Sequence, residues 1–252
     1  MNLFRKIKRN LIYTFKRKSN IDKNFLNQSP TLDTLFRNYN CDKGSTYCNQ
    51  INRFIKGHDY APFYEKHFNR IRNKKINILE IGVFSGASSA SFANYFPNST
   101  IFCLDINLTN FKYSSKKFKV FNLDITDKKM LSTFLIKNNI KENEEFFDII
   151  IDDASHKQSD QIKSLFYFFN YLKQNGIYII EEFMFPNFFP HLNDCQKEYK
   201  IDQILNFIIN KKFFKSSLVN KENISYLIKK TKKINTYKGS GKASNIAFIE
   251  KK

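Results

Sequence analysis

Residues 76–105 read I-N-I-L-E-I-G-V-F-S-G-A-S-S-A-S-F-A-N-Y-F-P-N-S-T-I-F-C-L-D, and their order decides the fold. The apolar, β-branched run at 76–81 has the composition of a buried parallel strand. Gly82 and Gly86 bracket a tight turn, 87–96 reads as a helix stopped by Pro97, and 101–104 reads as a second strand ending on Asp105. Strand, glycine turn, helix, strand and acid make half of a nucleotide-binding α/β fold. The glycines let the backbone approach a ligand, and the acid at the second strand end can hold two ribose hydroxyls.

The spacing narrows the ligand. Glu80-x-Gly82-x-x-x-Gly86 is not the G-x-G-x-x-G of dinucleotide enzymes, because Phe84 stands at the second glycine position. An acid on the strand just before the turn would repel a pyrophosphate and suits a ligand with a cationic amino-acid end. The pattern E-x-G-x-x-x-G with an acid at the next strand end resembles motif I of the class I S-adenosylmethionine-dependent methyltransferases. That resemblance implies S-adenosylmethionine as cofactor, with Glu80, Gly82, Gly86 and Asp105 around it.

Downstream, 118–123 reads as a third strand ending at Asp124, and 127–137 as a helix. The apolar run 147–151 reads as a fourth strand, ending in Asp152-Asp153-Ala154-Ser155-His156. A phenylalanine-rich helix follows, with Gly176 as its cap, and 177–180 reads as a fifth strand ending in Glu181-Glu182. Beyond an aromatic loop at 183–190 and His191, 194–210 reads as a helix, and 224–228 and 246–249 as two final strands. The expected architecture is α/β and Rossmann-like, a class I methyltransferase type of mostly parallel seven-stranded sheet with an antiparallel last strand. Upstream, 21–75 is expected to be a helical lid, with a helix broken near Gly57 and Pro62. Residues 1–20 are expected to be an N-terminal helical extension, leaving 76–252 as the α/β domain.

Composition locates the charge. The formal net charge is +19, yet residues 1–19 hold seven basic and no acidic side chains, and residues 211–252 hold twelve lysines against Glu222 and Glu250. What lies between is nearly neutral, which argues against a nucleic-acid channel beside the active cleft. In 1–20, Leu3, Ile7, Leu11 and Phe15 recur four apart, with Phe4 and Ile12 beside them and basic residues flanking. Such a helix can lie on an anionic membrane surface or pack on the domain or a partner; the periodicity does not say which. Cys41, Cys48, Cys103 and Cys195 form no C-x-x-C pair, so reduced thiols are expected rather than a disulfide framework or zinc site. With no apolar run long enough for a membrane span and no signal-peptide pattern, the expected location is cytoplasmic, with peripheral contact on the inner membrane face through 1–20.

Every strand end carries acid: Glu80, Asp105, Asp124, Asp152 with Asp153, and Glu181 with Glu182. Ligands of doubly wound sheets bind outside these ends. The first three suit the amino end, ribose and adenine edge of S-adenosylmethionine. The acids of strands four and five would repel one another unless a cation intervenes. Oxygen ligands without a thiolate favour a hard ion such as Mg²⁺, held by Asp153, Glu181 and Glu182. His156, three residues beyond Asp153, is placed to take the proton of an attacking hydroxyl.

Taken together, Asp42-Lys43-Gly44, His58-x-Tyr60 with Tyr64, residues 78–83, Asp152-Asp153-x-Ser155-His156 and Ile179-Ile180-Glu181-Glu182 resemble the metal-dependent macrolide-sugar O-methyltransferases of the demethylmacrocin and mycinamicin type and their bacterial glycan relatives. The resemblance covers roughly residues 41–183. It implies Mg²⁺ on Asp153, Glu181 and Glu182, His156 as base, and a cofactor site that also takes in Tyr60, Tyr64 and Asp152. Ala154 and Glu182 depart from it, standing where glycine and aspartate are usual. The expected function is methylation of a sugar hydroxyl in a glycan or surface-polysaccharide, capsule-type pathway, with a small-molecule or glycan acceptor as partner. An RNA or DNA methyltransferase and a non-catalytic docking protein of the same fold stay open as alternatives, as does a homo-oligomer.

Overall fold

The computed structural model describes residues 3–24, 28–48, 51 and 53–252. Its main sheet has seven strands: β1 (Ile76–Ile81), β2 (Ser99–Asp105), β3 (Phe118–Asn122), β4 (Phe147–Asp152), β5 (Leu172–Glu181), β6 (Thr231–Lys238) and β7 (Asn245–Lys251). Their hydrogen-bonded order is β6-β7-β5-β4-β1-β2-β3. The pairs β2–β3, β1–β4 and β4–β5 are parallel, and β7 runs antiparallel to both β5 and β6. This is the expected mostly parallel sheet with an antiparallel last strand.

The chain divides into two compact units. One comprises Met1–Ile76 with Gly82–Asp124, the other Asn77–Ile81 with Ile125–Lys252.

In the first unit, segment 21–75 packs on the helix Ala87–Tyr95 through aromatic rings. Phe92 takes Phe36 at 5.7 Å, Tyr64 at 5.4 Å and Phe68 at 6.1 Å between centroids, and Phe68 also meets Phe96 at 5.2 Å. The segment holds the helices Leu32–Tyr39 and Ala61–Phe68, but 54–56 is a strand paired antiparallel with Thr46–Cys48, not helix. Its start is tied by Ser19–Asn20, which pairs parallel with Tyr113–Ser114. The N-terminal helix spans Leu3–Phe15.

In the second unit, β1 and β4 align Glu80 with Ile151 and Ile81 with Asp152. The helix Gln158–Phe168 ends well before Gly176, which lies inside β5 and caps nothing. There the register with β4 jumps from Leu172 to Ile177, and a Cβ on Gly176 would meet the Lys173 carbonyl oxygen at 2.8 Å and the Asp148 carbonyl oxygen at 3.0 Å. Glycine is required because the backbone doubles on itself at this bulge. Two further expectations fail. The helix expected over 194–210 is Ile201–Ile209, begun at Lys200, whose N–H donates to Gln203 Oε1 at 3.0 Å. The strand expected at 224–228 lies within the helix Lys221–Lys230, with Ile224 and Leu227 buried three apart, and the actual strand is the lysine-rich β6.

Candidate active site

In the first unit, β2 and the glycine turn are joined by one carboxylate. Asp105 Oδ2 accepts the N–H groups of Val83 at 3.0 Å and Phe84 at 2.8 Å, and its Oδ1 accepts that of Asn107 at 2.8 Å. Gly82, Phe84 and Gly86 all have left-handed backbone, with φ of 85°, 41° and 77°. Gly86 is also required sterically, since a Cβ there would lie 2.6 Å from the Phe111 ring. Asp105 thus holds the turn in shape from the position expected to meet a ribose. Asp124 sits partly exposed just past β3.

The separate sequence pieces 42–44 and 58–60 are zipped together in this unit. The N–H groups of His58, Asp59 and Tyr60 donate to the carbonyls of Asp42, Gly44 and Lys43 at 2.6, 3.0 and 2.8 Å. Tyr60, stacked on His58 at 5.2 Å, and Tyr64, set between Phe36, Phe68 and Phe92, are both without exposed surface. The aromatic spacing in the sequence marks this cluster, but only the fold shows that both tyrosines are packed inside it.

In the second unit, Glu80 is fully buried on β1. Asp152 is buried at the end of β4, where its Oδ2 accepts the Tyr178 hydroxyl at 3.4 Å; that hydroxyl lies 2.8 Å from Ser164 Oγ. Burial pushes the Asp152 carboxyl up to about 7, against hydrogen bonds from Ser164, Ala154 N–H and Tyr178 that favour the ionised form. Next to it the chain turns out of the sheet: Asp153 N–H donates to the Ile81 carbonyl at 2.9 Å, and Ser155 Oγ donates to Asp160 Oδ2 at 2.6 Å, fixing the start of the following helix.

This turn brings three side chains together. Ligand atoms of Asp153, His156 and Glu182 lie within 4.8 Å of one another, and His156 Nε2 is 3.6 Å from Asp153 Oδ1. Both His156 and Glu182 have left-handed backbone, φ 54° and 48°, in non-glycine residues that rarely adopt it. Glu181, expected beside Glu182 as a ligand, is not part of this group; it is buried at the end of β5, opposite Ile246, and its carbonyl accepts from Gln161 Nε2 at 3.4 Å. Phe185 places its ring 5.1 Å from the His156 imidazole, Phe189 lies 5.1 Å from Phe185, and His191 is 6.2 Å from Phe189. The sequence marks 183–190 as an aromatic loop but not its contact with His156.

The closeness of solved structures settles the architecture. MycE methyltransferase from the mycinamycin pathway, solved in complex with Mg and SAH, matches with a TM-score of 0.66 at 23% identity, over 89% of this chain and 55% of that one. The fold is that of a class I methyltransferase. Among curated proteins, L-olivosyl-oleandolide 3-O-methyltransferase of Streptomyces antibioticus is 28% identical over 171 residues, which is 65% of this chain and 40% of the relative. Mycinamicin VI 2''-O-methyltransferase of Micromonospora griseorubida is 29% identical over 132 residues, 50% of this chain and 31% of the relative. Demethylmacrocin O-methyltransferase of Streptomyces fradiae is 27% identical over 132 residues, 50% and 32%. These relatives are of the type that the motifs resemble, and the chain spans less than half their length. No family model matches the chain.

Proposed function

We propose that this chain is an S-adenosylmethionine-dependent O-methyltransferase, assisted by Mg²⁺, that methylates a sugar hydroxyl. The observation that carries this reading is the gathering of Asp153, His156 and Glu182 at the ends of β4 and β5. Two carboxylates and an imidazole, without a thiolate, suit a hard cation. Asp153 and Glu182 would hold it, while Glu181, buried at the end of β5 outside this group, would support the turn that carries Glu182. When bound, such an ion lowers the pKa of a hydroxyl beside it.

His156 takes the hydroxyl proton on its imidazole, and Asp153 Oδ1, 3.6 Å from Nε2, stabilises the resulting imidazolium. The oxygen attacks the sulfonium methyl; a C–O bond forms, the C–S bond breaks, and S-adenosylhomocysteine leaves. Glu80 serves the amino end of the cofactor, Asp105 its ribose, Asp124 its adenine edge, and Gly82 and Gly86 the close approach of the backbone. Asp152, Tyr60 and Tyr64 act from buried positions as supports. The rings of Phe185 and Phe189 extend from His156 and form an apolar wall on which a sugar face stacks.

The curated relatives carry the names of antibiotic sugars. For this chain we place the acceptor in surface-polysaccharide assembly in the cytoplasm, a reading supported by basic ends suited to an anionic surface. The test is methyl transfer to a panel of nucleotide-linked sugars and oligosaccharides, followed by mass spectrometry with Mg²⁺ or EDTA. Turnover should need Mg²⁺, and His156→Ala should lower kcat by about 10³-fold with cofactor affinity retained. Glu182→Gln should weaken Mg²⁺ activation, and Glu181→Gln should leave it largely unchanged; the opposite order would move the ligand role to Glu181. An EDTA-resistant enzyme still active as His156→Ala would sink the mechanism.

A further inference from the structure

We propose that the exposed face of the helix Leu3–Phe15 docks this protein on an anionic bilayer surface. Two faces of the helix are distinguished by what they touch. Arg9, Tyr13 and Lys16, at i, i+4 and i+7, are half-buried against the first unit. Tyr13 meets Phe111 edge-on at 6.2 Å, and Lys16 Nζ donates to the carbonyls of Thr109 at 2.9 Å and Asn110 at 3.2 Å. Just past the helix, Ser19 N–H donates to the Lys112 carbonyl at 2.8 Å, and Lys18 Nζ sits 4.1 Å over the Tyr13 ring. These contacts fix which side of the helix faces out.

The outward side is apolar. Leu11, Ile12 and Phe15, at i, i+1 and i+4, are 52%, 44% and 83% exposed, with Lys8 on the same face. A helix that merely covered its own domain would turn this stripe inward; here the stripe faces out, with Lys8 exposed on the same face and Arg17 exposed just past the helix. Charge selects the occupant. Residues 1–19 carry seven basic and no acidic side chains, so an apolar stripe flanked by cations meets a surface that is itself apolar beneath and anionic above, which describes the headgroup region of a bilayer. A nucleic acid would be met by the basic side, and there Lys16 is already committed to backbone carbonyls. Among the described residues no helix is long and apolar enough to cross a membrane, so the mode is interfacial.

The chain contains no tryptophan, so Phe15→Trp installs a single fluorescent reporter at an exposed position. The 252-residue chain is mixed with vesicles of phosphatidylcholine alone or with equal phosphatidylglycerol. Expected are co-sedimentation with the anionic vesicles at low salt, a blue-shifted indole emission from the Phe15→Trp variant, and quenching of that emission by brominated acyl chains. The Leu11→Glu, Phe15→Glu double variant should bind about ten-fold more weakly, or less still, while melting as the wild type does, since both positions are exposed. Equal binding by the double variant, or an indole emission unmoved while the protein sediments, would overturn the proposal by placing attachment on charge elsewhere. So would a lipid-free dimer that dissociates in the double variant, or RNA binding that the double variant abolishes, because either assigns the stripe to another occupant.

Discussion

Gly86 is the residue on which most local geometry turns. Its φ of 77° is costly for any other residue, and a Cβ would enter the Phe111 ring at 2.6 Å. Gly86→Ala is expected to lower stability by about 1–3 kcal/mol and, under the proposed function, to weaken S-adenosylmethionine binding; thermal melts with and without the cofactor check both. His156 and Glu182 carry a similar strain without glycine's freedom, the kind that persists where the surroundings over-determine it. The sequence shows which acids stand at strand ends, because β4 and β5 are apolar runs with sharp polar stops. It does not show that the chain turns left-handed after each strand and so assembles Asp153, His156 and Glu182 while Glu181 stays apart. That selection depends on backbone conformation in two separate turns, which composition does not encode.

At the scale of elements, legibility followed apolar pattern. β1 spans Ile76–Ile81 as read, because a continuous β-branched run between a charged stretch and a glycine admits one reading. The strand β6 escaped because its sequence, T-K-K-I-N-T-Y-K, is mostly polar: it lies at the sheet edge, where lysines discourage further pairing, so it carries no buried run to detect. The short run at 224–228 is equally apolar on helix or strand, and burial of Ile224 and Leu227 decided for the helix.

Lys251, on β7, is fully buried and donates to the carbonyls of Leu172 at 2.6 Å and Phe169 at 3.3 Å, with Glu145 at 3.1 Å. Lys251→Ala strips those buried carbonyls of their donor and is expected to cost about 2–3 kcal/mol, read as a lowered midpoint in urea unfolding. Asp22 ties the start of segment 21–75 to the β2–β3 connection by accepting the Ser115 hydroxyl at 2.5 Å and the Lys116 N–H. The Ser115 bond is the main cause holding its carboxyl below the usual range. A lowered folded value means the stabilisation is present above about pH 4 and lost as pH falls through that lowered value. Melting temperatures of wild type and Asp22→Ala should therefore differ at pH 7 and converge as pH falls through that lowered value.

For the whole molecule, charge and chemistry are separated along the chain. The net positive charge gathers in the first 19 and last 42 residues, while the acids proposed to bind cofactor and metal lie in the nearly neutral stretch between. The chain spans 55% of MycE and less of its curated relatives, so activity has to be established on this chain itself. The most direct measurement is isothermal titration of S-adenosylmethionine and of Mg²⁺ into the wild type and Asp153→Ala. Both proteins should bind the cofactor, and the wild type should show a Mg²⁺ isotherm that Asp153→Ala abolishes. Cofactor binding by the wild type with no Mg²⁺ isotherm, or one that survives in Asp153→Ala, would contradict the assignment of the Asp153, His156 and Glu182 cluster as a metal-assisted methyl-transfer site.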